Sequence, residues 1–444
     1  MTIEVVVALG VCTIVAVAIA TTRIGLVSTI AYATFFSLAL VPVSLVSDSG
    51  AFHVGIAGSS PDLRTFTLII AAGAVLLTFI AKPPLVGVFV PLMLWIGIGG
   101  FFIWPADPPG VAGVIQYCIA ILAWGIGMRA ARSDPDSHLR RGLVLLIVVV
   151  VMAHSGVAVL QALGLNINAV AAADQEILGS RVNGLSNHPN NLGKILVISI
   201  ALLLSLINSA KERTRLIWIT IAVAFVPLVL AQGRANLAAA AALVTGWVLL
   251  QPTLNLSRKL SVLLGIGVAG LAASGVIISR FEEDPTGGVR SEILSYAWHI
   301  VSTFFWNGTG PNRYTTENAP LTGSFIPVHN SFVLALAELG VIGFVLLFAP
   351  IVMMVIGAWR HRHQLSTSGD TARAIVASAL PMVMIAYTGW GMLATSVFSL
   401  GMFCFGFMWG HTSARHCVDQ SPTQALLNDS RVISLRRPRS RMRT

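Results

Sequence analysis

Apolar runs about twenty residues long follow one another through most of this chain, and they dictate its architecture. They lie at roughly 3–22, 24–46, 65–80, 84–104, 110–128, 142–163, 191–209, 216–231, 235–250, 260–279, 329–356, 374–391 and 394–411. Most are near the ~20 residues that a helix needs to cross a bilayer core. Hydrophobic residues make up 55% of the chain, charged residues only 10%, and the mean hydropathy is +0.82. A soluble domain carries about 25% charged residues. The expected fold is therefore an all-α polytopic membrane protein with about 12–13 transmembrane helices. The run from Glu4 to Thr22 lacks a basic leader and a small-residue cleavage site, so it reads as a retained span. No internal repeat is evident.

Basic residues set the orientation. Arg23, Lys82, the 129–141 loop, the 211–215 loop, Arg258-Lys259, the 358–373 loop and the tail go inside, and together they hold three quarters of the 28 Lys and Arg. The outer segments keep Arg64, Arg181, Lys194, Arg234, Arg280, Arg290 and Arg313. Asp174, Glu176, Glu282, Glu283, Asp284 and Glu317 also fall outside.

This topology divides the chain into N-terminal spans (1–163), an outer loop (164–190), central spans (191–279), a large outer loop (280–328), C-terminal spans (329–411) and a basic inner tail (412–444). From Arg280 to Val328 the large loop has 49 residues, far above ordinary connections, and such loops are usually functional. Within it, Ile293, Ala297, Ile300 and Phe304 have helical spacing, closed by Asn307-Gly308. With Tyr296, Trp298 and Trp306, the segment 290–306 suits a helix in the headgroup layer.

Two features carry candidate chemistry. The first is His329, which opens an apolar helix at the outer lip of a span. On one continuous helix Gly340 and Gly343 would lie within about 40° of its face, leaving an ionisable ring above a close-packing groove. A ring there can act as a general base or simply bond a loop carbonyl. Glu338 would sit about 180° round the helix and so cannot orient the ring.

The second feature is the set of outer arginines. Arg234 stands in Gln232-Gly-Arg-Ala-Asn236, the turn between two spans of about 16 residues that reach only ~24 Å against a ~30 Å core. A guanidinium buried below the surface needs an anion or a polar cavity. Arg181 precedes a polar stretch into the next helix, which Asn187 or Asn190 can cap. Arg290 opens the headgroup-layer helix. Three such guanidiniums on one cavity would match a diphosphate. Lys194, one turn into a span, can touch a phosphate or snorkel outward. His188 and His299 read as structural. So do Cys12, Cys118, Cys404 and Cys417, which show no disulfide or metal-ligand spacing. Glu282-Glu283-Asp284 is the one acidic cluster and reads as a solvated loop, so neither a metal nor another cofactor is expected, nor a nucleic-acid partner.

His329-Asn330, nine residues, Gly340, two residues and Gly343 resembles the pattern H-[NSQ]-x9-G-x-x-[GTY] of the bacterial O-antigen ligases. That family shares a superfamily with O-antigen polymerases and protein O-oligosaccharyltransferases. Arg181 and Gly184 ahead of Asn190, the Gly233-Arg234 turn and Gly308-Thr-Gly310-Pro are similar landmarks, so the resemblance covers about 180–345. Gln232-Gly233 departs from the Ser-Arg often found there, but the arginine is retained.

The resemblance implies a GT-C-like, metal-independent, inverting glycosyltransferase of the inner membrane, with its site facing the periplasm. The donor would be an undecaprenyl diphosphate-linked O-antigen glycan and the acceptor a sugar hydroxyl of lipid A–core, both embedded among membrane lipids. It implies His329 as general base, with Arg181, Arg234 and Arg290 holding the diphosphate. An O-antigen polymerase or a protein O-oligosaccharyltransferase would use the same donor. A lipid-linked glycan transporter is the alternative from another class, disfavoured because the charges gather at one face and the two halves do not mirror each other.

Overall fold

The computed structural model describes residues 25–40, 65–134, 138–165, 167, 181–186, 188–283, 290–322, 328–388 and 396–413. The first expected span, residues 166, 168–180 and 187 of the 164–190 loop, Cys12, Cys417 and the basic tail lie outside them, as do the side chains of Arg280, Glu282, Glu283, Arg290 and all of Asp284.

The described residues form an all-α polytopic membrane protein without strands. The first five helices are α1 (Leu26–Leu40), α2 (Thr65–Phe79), α3 (Val90–Ile98), α4 (Pro108–Arg132) and α5 (His138–Ala162). Next come α6 (Pro189–Leu206), α7 (Thr214–Leu230), α8 (Arg234–Leu250) and α9 (Leu256–Glu283). The large loop carries α10 (Arg290–Thr303) and α11 (Tyr314–Thr322), and the chain continues through α12 (Ser331–His361), α13 (Thr367–Thr388) and α14 (Ser396–Ser413). Among the described residues, six helical stretches are long and apolar enough to cross a membrane, and four more apolar stretches are shorter. The span expected over 84–104 is not one α-helix: a 3-10 turn (Gly87–Phe89) precedes α3 and a π-helical segment (Gly99–Ile103) follows it.

Small residues let the core helices close. A Cβ on Gly406 would fall 2.3 Å from the Trp124 carbonyl oxygen, and one on Gly410 2.7 Å from that of Met128. This Gly-x-x-x-Gly stripe seats α14 on α4, as expected where helices in lipid gain mainly from close packing.

Loops gather at two ends. At the lower end, which the charge bias assigns to the inside, Asp134 pairs with Arg140 at 3.0 Å. Arg140 also bonds His411 at 2.7 Å, and the other ring nitrogen of His411 meets Thr371 at 3.0 Å. Buried Asp370 accepts from Asn208, Gln251 and Arg373.

At the upper end the large loop is welded into the bundle. The apolar run after His329 is not a continuous helix: Gly340 has φ 65° and ψ 178°, which breaks α12. The single helical face expected to join His329, Gly340 and Gly343 is therefore interrupted. Breaking a helix in an apolar span strands carbonyls that lipid cannot satisfy, and here the loop supplies the donors. Thr309 N–H donates to Ala337 O at 2.8 Å and Gly310 N–H to Glu338 O at 2.9 Å, while Val341 N–H donates to Phe305 O at 2.8 Å. Trp95 Nε1 donates to Leu339 O at 3.2 Å, and Trp104 Nε1 donates to Asn307 O at 2.9 Å.

The two strands of backbone touch: a Cβ on Gly308 would lie 2.3 Å from Glu338 O, and one on Gly340 2.2 Å from Trp306 O. The same loop grips α4. Arg313 pairs with Asp107, the α4 N-cap, at 3.0 Å, and Asn312 donates to Pro109 O at 3.3 Å. Within the loop, α10 forms where the apolar spacing predicts it, with Ile293, Ala297 and Ile300 buried and Trp298 exposed. Phe304 lies past its end and is exposed.

Gly340 adopts a backbone region that is essentially glycine-only and costs another residue on the order of 1–3 kcal/mol, before any clash. Gly340→Ala is expected to lower the thermal midpoint of the detergent-solubilised protein by several degrees. Gly156→Ala, in α5 with no atom within 4 Å of the new methyl, should leave it unchanged or raise it. Equal midpoints for the two variants would contradict the welded break.

Candidate anion and proton-transfer site

Three helix N-termini face the upper end: those of α6, α8 and α12. Each brings the positive pole of a helix dipole to that end. The segment leading into α6 is fixed by α5. Gln161 Oε1 accepts from Asn183 N–H at 3.1 Å and Gly184 N–H at 2.8 Å, and its Nε2 donates to Asn183 Oδ1 at 2.7 Å. Buried His154 takes the Leu185 N–H on Nδ1 at 3.3 Å, while its Nε2 bonds Ala39 O at 2.8 Å.

Arg181 leaves this braced segment and ties α6 to the α7–α8 turn. Its Nε donates to Ala231 O at 3.0 Å and an Nη to Asn190 Oδ1 at 2.8 Å. Asn236, in the first turn of α8, donates to Asn190 O at 3.2 Å. Arg234 is the first residue of α8, three past the carbonyl that Arg181 holds, after a turn with Gln232 at φ 53°. Helices α7 and α8 have 17 residues each, about 26 Å at 1.5 Å per residue.

His188, not Asn187 or Asn190, caps α6: its Nδ1 accepts the Asn190 N–H at 3.0 Å. That bond leaves the ring proton of neutral His188 on Nε2. Burial pushes its pKa down to about 3, helped by the positive charges of Arg181, Lys194 and His329. His329 precedes Asn330, the N-cap of α12, whose Oδ1 accepts from Phe332 N–H at 3.0 Å and Val333 N–H at 3.2 Å. Arg290 opens α10, which packs on α12, but its side chain lies outside the described residues.

Lys194, whose direction the sequence leaves open, turns inward and is 4% exposed. Arg313 belongs to the ion pairs with Asp107 and Glu317. Glu338 faces the large loop, where its carboxyl accepts the backbone N–H groups of Asn312 and Tyr314. An apolar groove of about 330 Å³ lies between α12, α13 and α14, starting at Ser331, two residues after His329 in the chain. Ser331 and Phe332 lie at its head, followed by Phe348, Met382, Phe398 and Met402. Such an arrangement can hold an anionic headgroup above an apolar tail.

The pKa of His188 lies below its ordinary 6.5, so the unfolded chain takes up this proton first as pH falls. The stability contributed by the neutral ring is complete above about 6.5 and drains away down to about 3. His188→Asn keeps a good cap and removes the titration. Its thermal midpoint should fall less steeply than that of wild type between pH 6.5 and 4; parallel curves would refute the assignment.

Residues 191–348 match the protein-family model described as O-antigen ligase. The matched stretch starts in the first turn of α6 and ends inside α12. It contains Lys194, Arg234, Arg290, the Gly308–Arg313 loop and His329, with Arg181 and His188 just upstream. No curated protein matches the chain. Over residues 191–348, this chain is similar to the O-antigen ligase family.

Proposed function

We propose that the protein transfers an O-antigen glycan from undecaprenyl diphosphate to a sugar hydroxyl of lipid A–core, at the periplasmic side of the inner membrane and without a metal ion. The observation that carries this reading is that Arg181 ties the start of α6 to the turn opening on Arg234, through Asn190 Oδ1 and Ala231 O. A diphosphate is the leaving group that two such arginines suit. In this role Arg181 and Arg234, joined through the Ala231 turn, and Arg290 neutralise the departing diphosphate. Three helix N-termini add partial positive charge. Fixed charge aimed at a leaving group is generally the largest single contribution to such a rate.

His329 then removes the proton of the acceptor hydroxyl as that oxygen attacks the anomeric carbon. The C–O bond to the diphosphate breaks on the opposite face, inverting the configuration. General-base help of this kind is worth about 10²–10⁴-fold. The apolar groove starting at Ser331 gives a lipid chain a path into the bilayer. Both substrates are lipid-anchored and would meet by lateral diffusion. Polymerase action, in which a second lipid-linked glycan is the acceptor, uses the same machinery.

The deciding experiment is transfer in detergent with purified lipid-linked glycan, with lipid A–core supplied or withheld. Transfer should require lipid A–core and survive EDTA. Ladders formed without that acceptor would mean a polymerase, and loss in EDTA restored by Mg²⁺ would overturn the metal-free mechanism. His329→Ala should lower turnover by about 10²–10⁴-fold with donor binding retained. Arg234→Ala should weaken donor binding itself. Normal transfer by the His329 variant would remove it from the reaction.

A further inference from the structure

We infer that Lys194 is a further phosphate-binding residue of this site, donating its ammonium to the same diphosphate as the arginines. The inference rests on the functional reading above and adds a residue to it.

Four cationic side chains are buried among the described residues: Arg140, Lys194, Arg313 and Arg373. Three of them face a carboxylate. Arg140 pairs with Asp134 at 3.0 Å, Arg313 with Asp107 at 3.0 Å, and Arg373 with Asp370. Lys194, only 4% exposed, has no carboxylate within ion-pair distance among the described residues. An unpaired charge kept from water is expensive, and at membrane depth it marks a functional position.

The geometry of α6 says where the ammonium goes. Lys194 lies four residues after Asn190 and so stands directly beneath it on the same face. Asn190 is the residue that Arg181 holds at 2.8 Å and that Asn236 of α8 bonds through its carbonyl. Helical side chains lean back toward the N-terminus, so the lysine stem rises toward the first turn instead of descending into the core. That turn begins beside His188, the α6 cap, whose pKa is lowered by burial and by the charges of Arg181, Lys194 and His329.

Neighbouring Gly193 seals the level below: a Cβ there would lie 2.3 Å from the Asn236 side chain. Lys194 is thus held in a dry place with no carboxylate partner among the described residues. The counter-charge it lacks is an anion with several acceptor oxygens, which a phosphate supplies. That phosphate can belong to the lipid-linked donor or to an ordinary anionic phospholipid.

The test uses the full-length protein in detergent with three probes: undecaprenyl diphosphate, phosphatidylglycerol and neutral undecaprenol. Lys194→Met keeps the volume and removes the charge. It is expected to weaken undecaprenyl diphosphate binding at least tenfold and leave undecaprenol binding unchanged. Its thermal midpoint should hold or rise, because an unpaired buried charge is gone. Lys194→Arg should restore most of the affinity. Lys194→Gln carries the same expectation as the methionine variant if that protein is not recovered.

Unchanged diphosphate affinity in Lys194→Met, with wild type binding normally, overturns this inference and leaves the functional reading intact. Wild type that binds no diphosphate lipid overturns both. A loss confined to phosphatidylglycerol overturns the donor as the source and assigns the lysine to a lipid headgroup. A drop in thermal midpoint with affinity intact makes Lys194 a structural residue.

Discussion

A backbone amide or carbonyl buried in hydrocarbon must find a partner within the protein, and one place in this chain puts that rule under load. The helix that begins at Ser331 is broken at Gly340, inside an apolar span. Left alone, the carbonyls of Ala337, Glu338 and Leu339 would face lipid or apolar side chains. They are taken instead by Thr309, Gly310 and Trp95. The break is therefore a socket for the large loop. Arg313, on the same loop, reaches the N-cap of α4, so the loop joins the N-terminal and C-terminal halves of the bundle. A segment of 49 residues between helices would otherwise be free to move, and the start of α12 with it. Holding that start still is a condition for any role of His329, because proton transfer demands hydrogen-bond distance.

Much of this fold is legible in the sequence, and the illegible parts share a cause. Length and apolarity alone locate helices such as Thr65–Phe79 and Arg234–Leu250 to within a residue, because the bilayer fixes the period and the length. The amphipathic helix from Arg290 is visible because its buried face repeats every three to four residues. Gly340 is not legible as a break. Glycine is common inside membrane helices, and the residues around it are uniformly apolar. Only the approach of Gly308, thirty-two positions earlier, makes a positive φ necessary. Both glycines belong to motifs that can be read in the sequence, but nothing in the reading joins them.

The site shows the same limit. The cap of α6 falls to His188 because that residue holds the extended backbone conformation a cap requires, φ −157° and ψ 142°, although the asparagines around it are better caps by type. Lys194 is ambiguous in sequence because a helical lysine one turn below a surface can point to water or to a neighbour. Its direction depends on which face of α6 meets α8, and that packing is set by Gly193 against Asn236. The arginine positions carry more information, since a span with few charges makes each one conspicuous.

The two ends of the bundle hold their buried polar groups with different kinds of partner. At the lower end each buried cation is matched: Asp134 with Arg140, Asp370 with Arg373, and His411 bridged between Arg140 and Thr371. Those pairs resemble a closed structural network, costly to break and of modest net worth once desolvation is counted. At the upper end Arg313 has its carboxylates, and Arg181 donates to the Ala231 carbonyl and the Asn190 amide. Those bonds fix the direction of its guanidinium and tie the start of α6 to the turn that opens on Arg234. In the proposed function, groups held in place by folding would spare the reorganisation that water needs during bond cleavage.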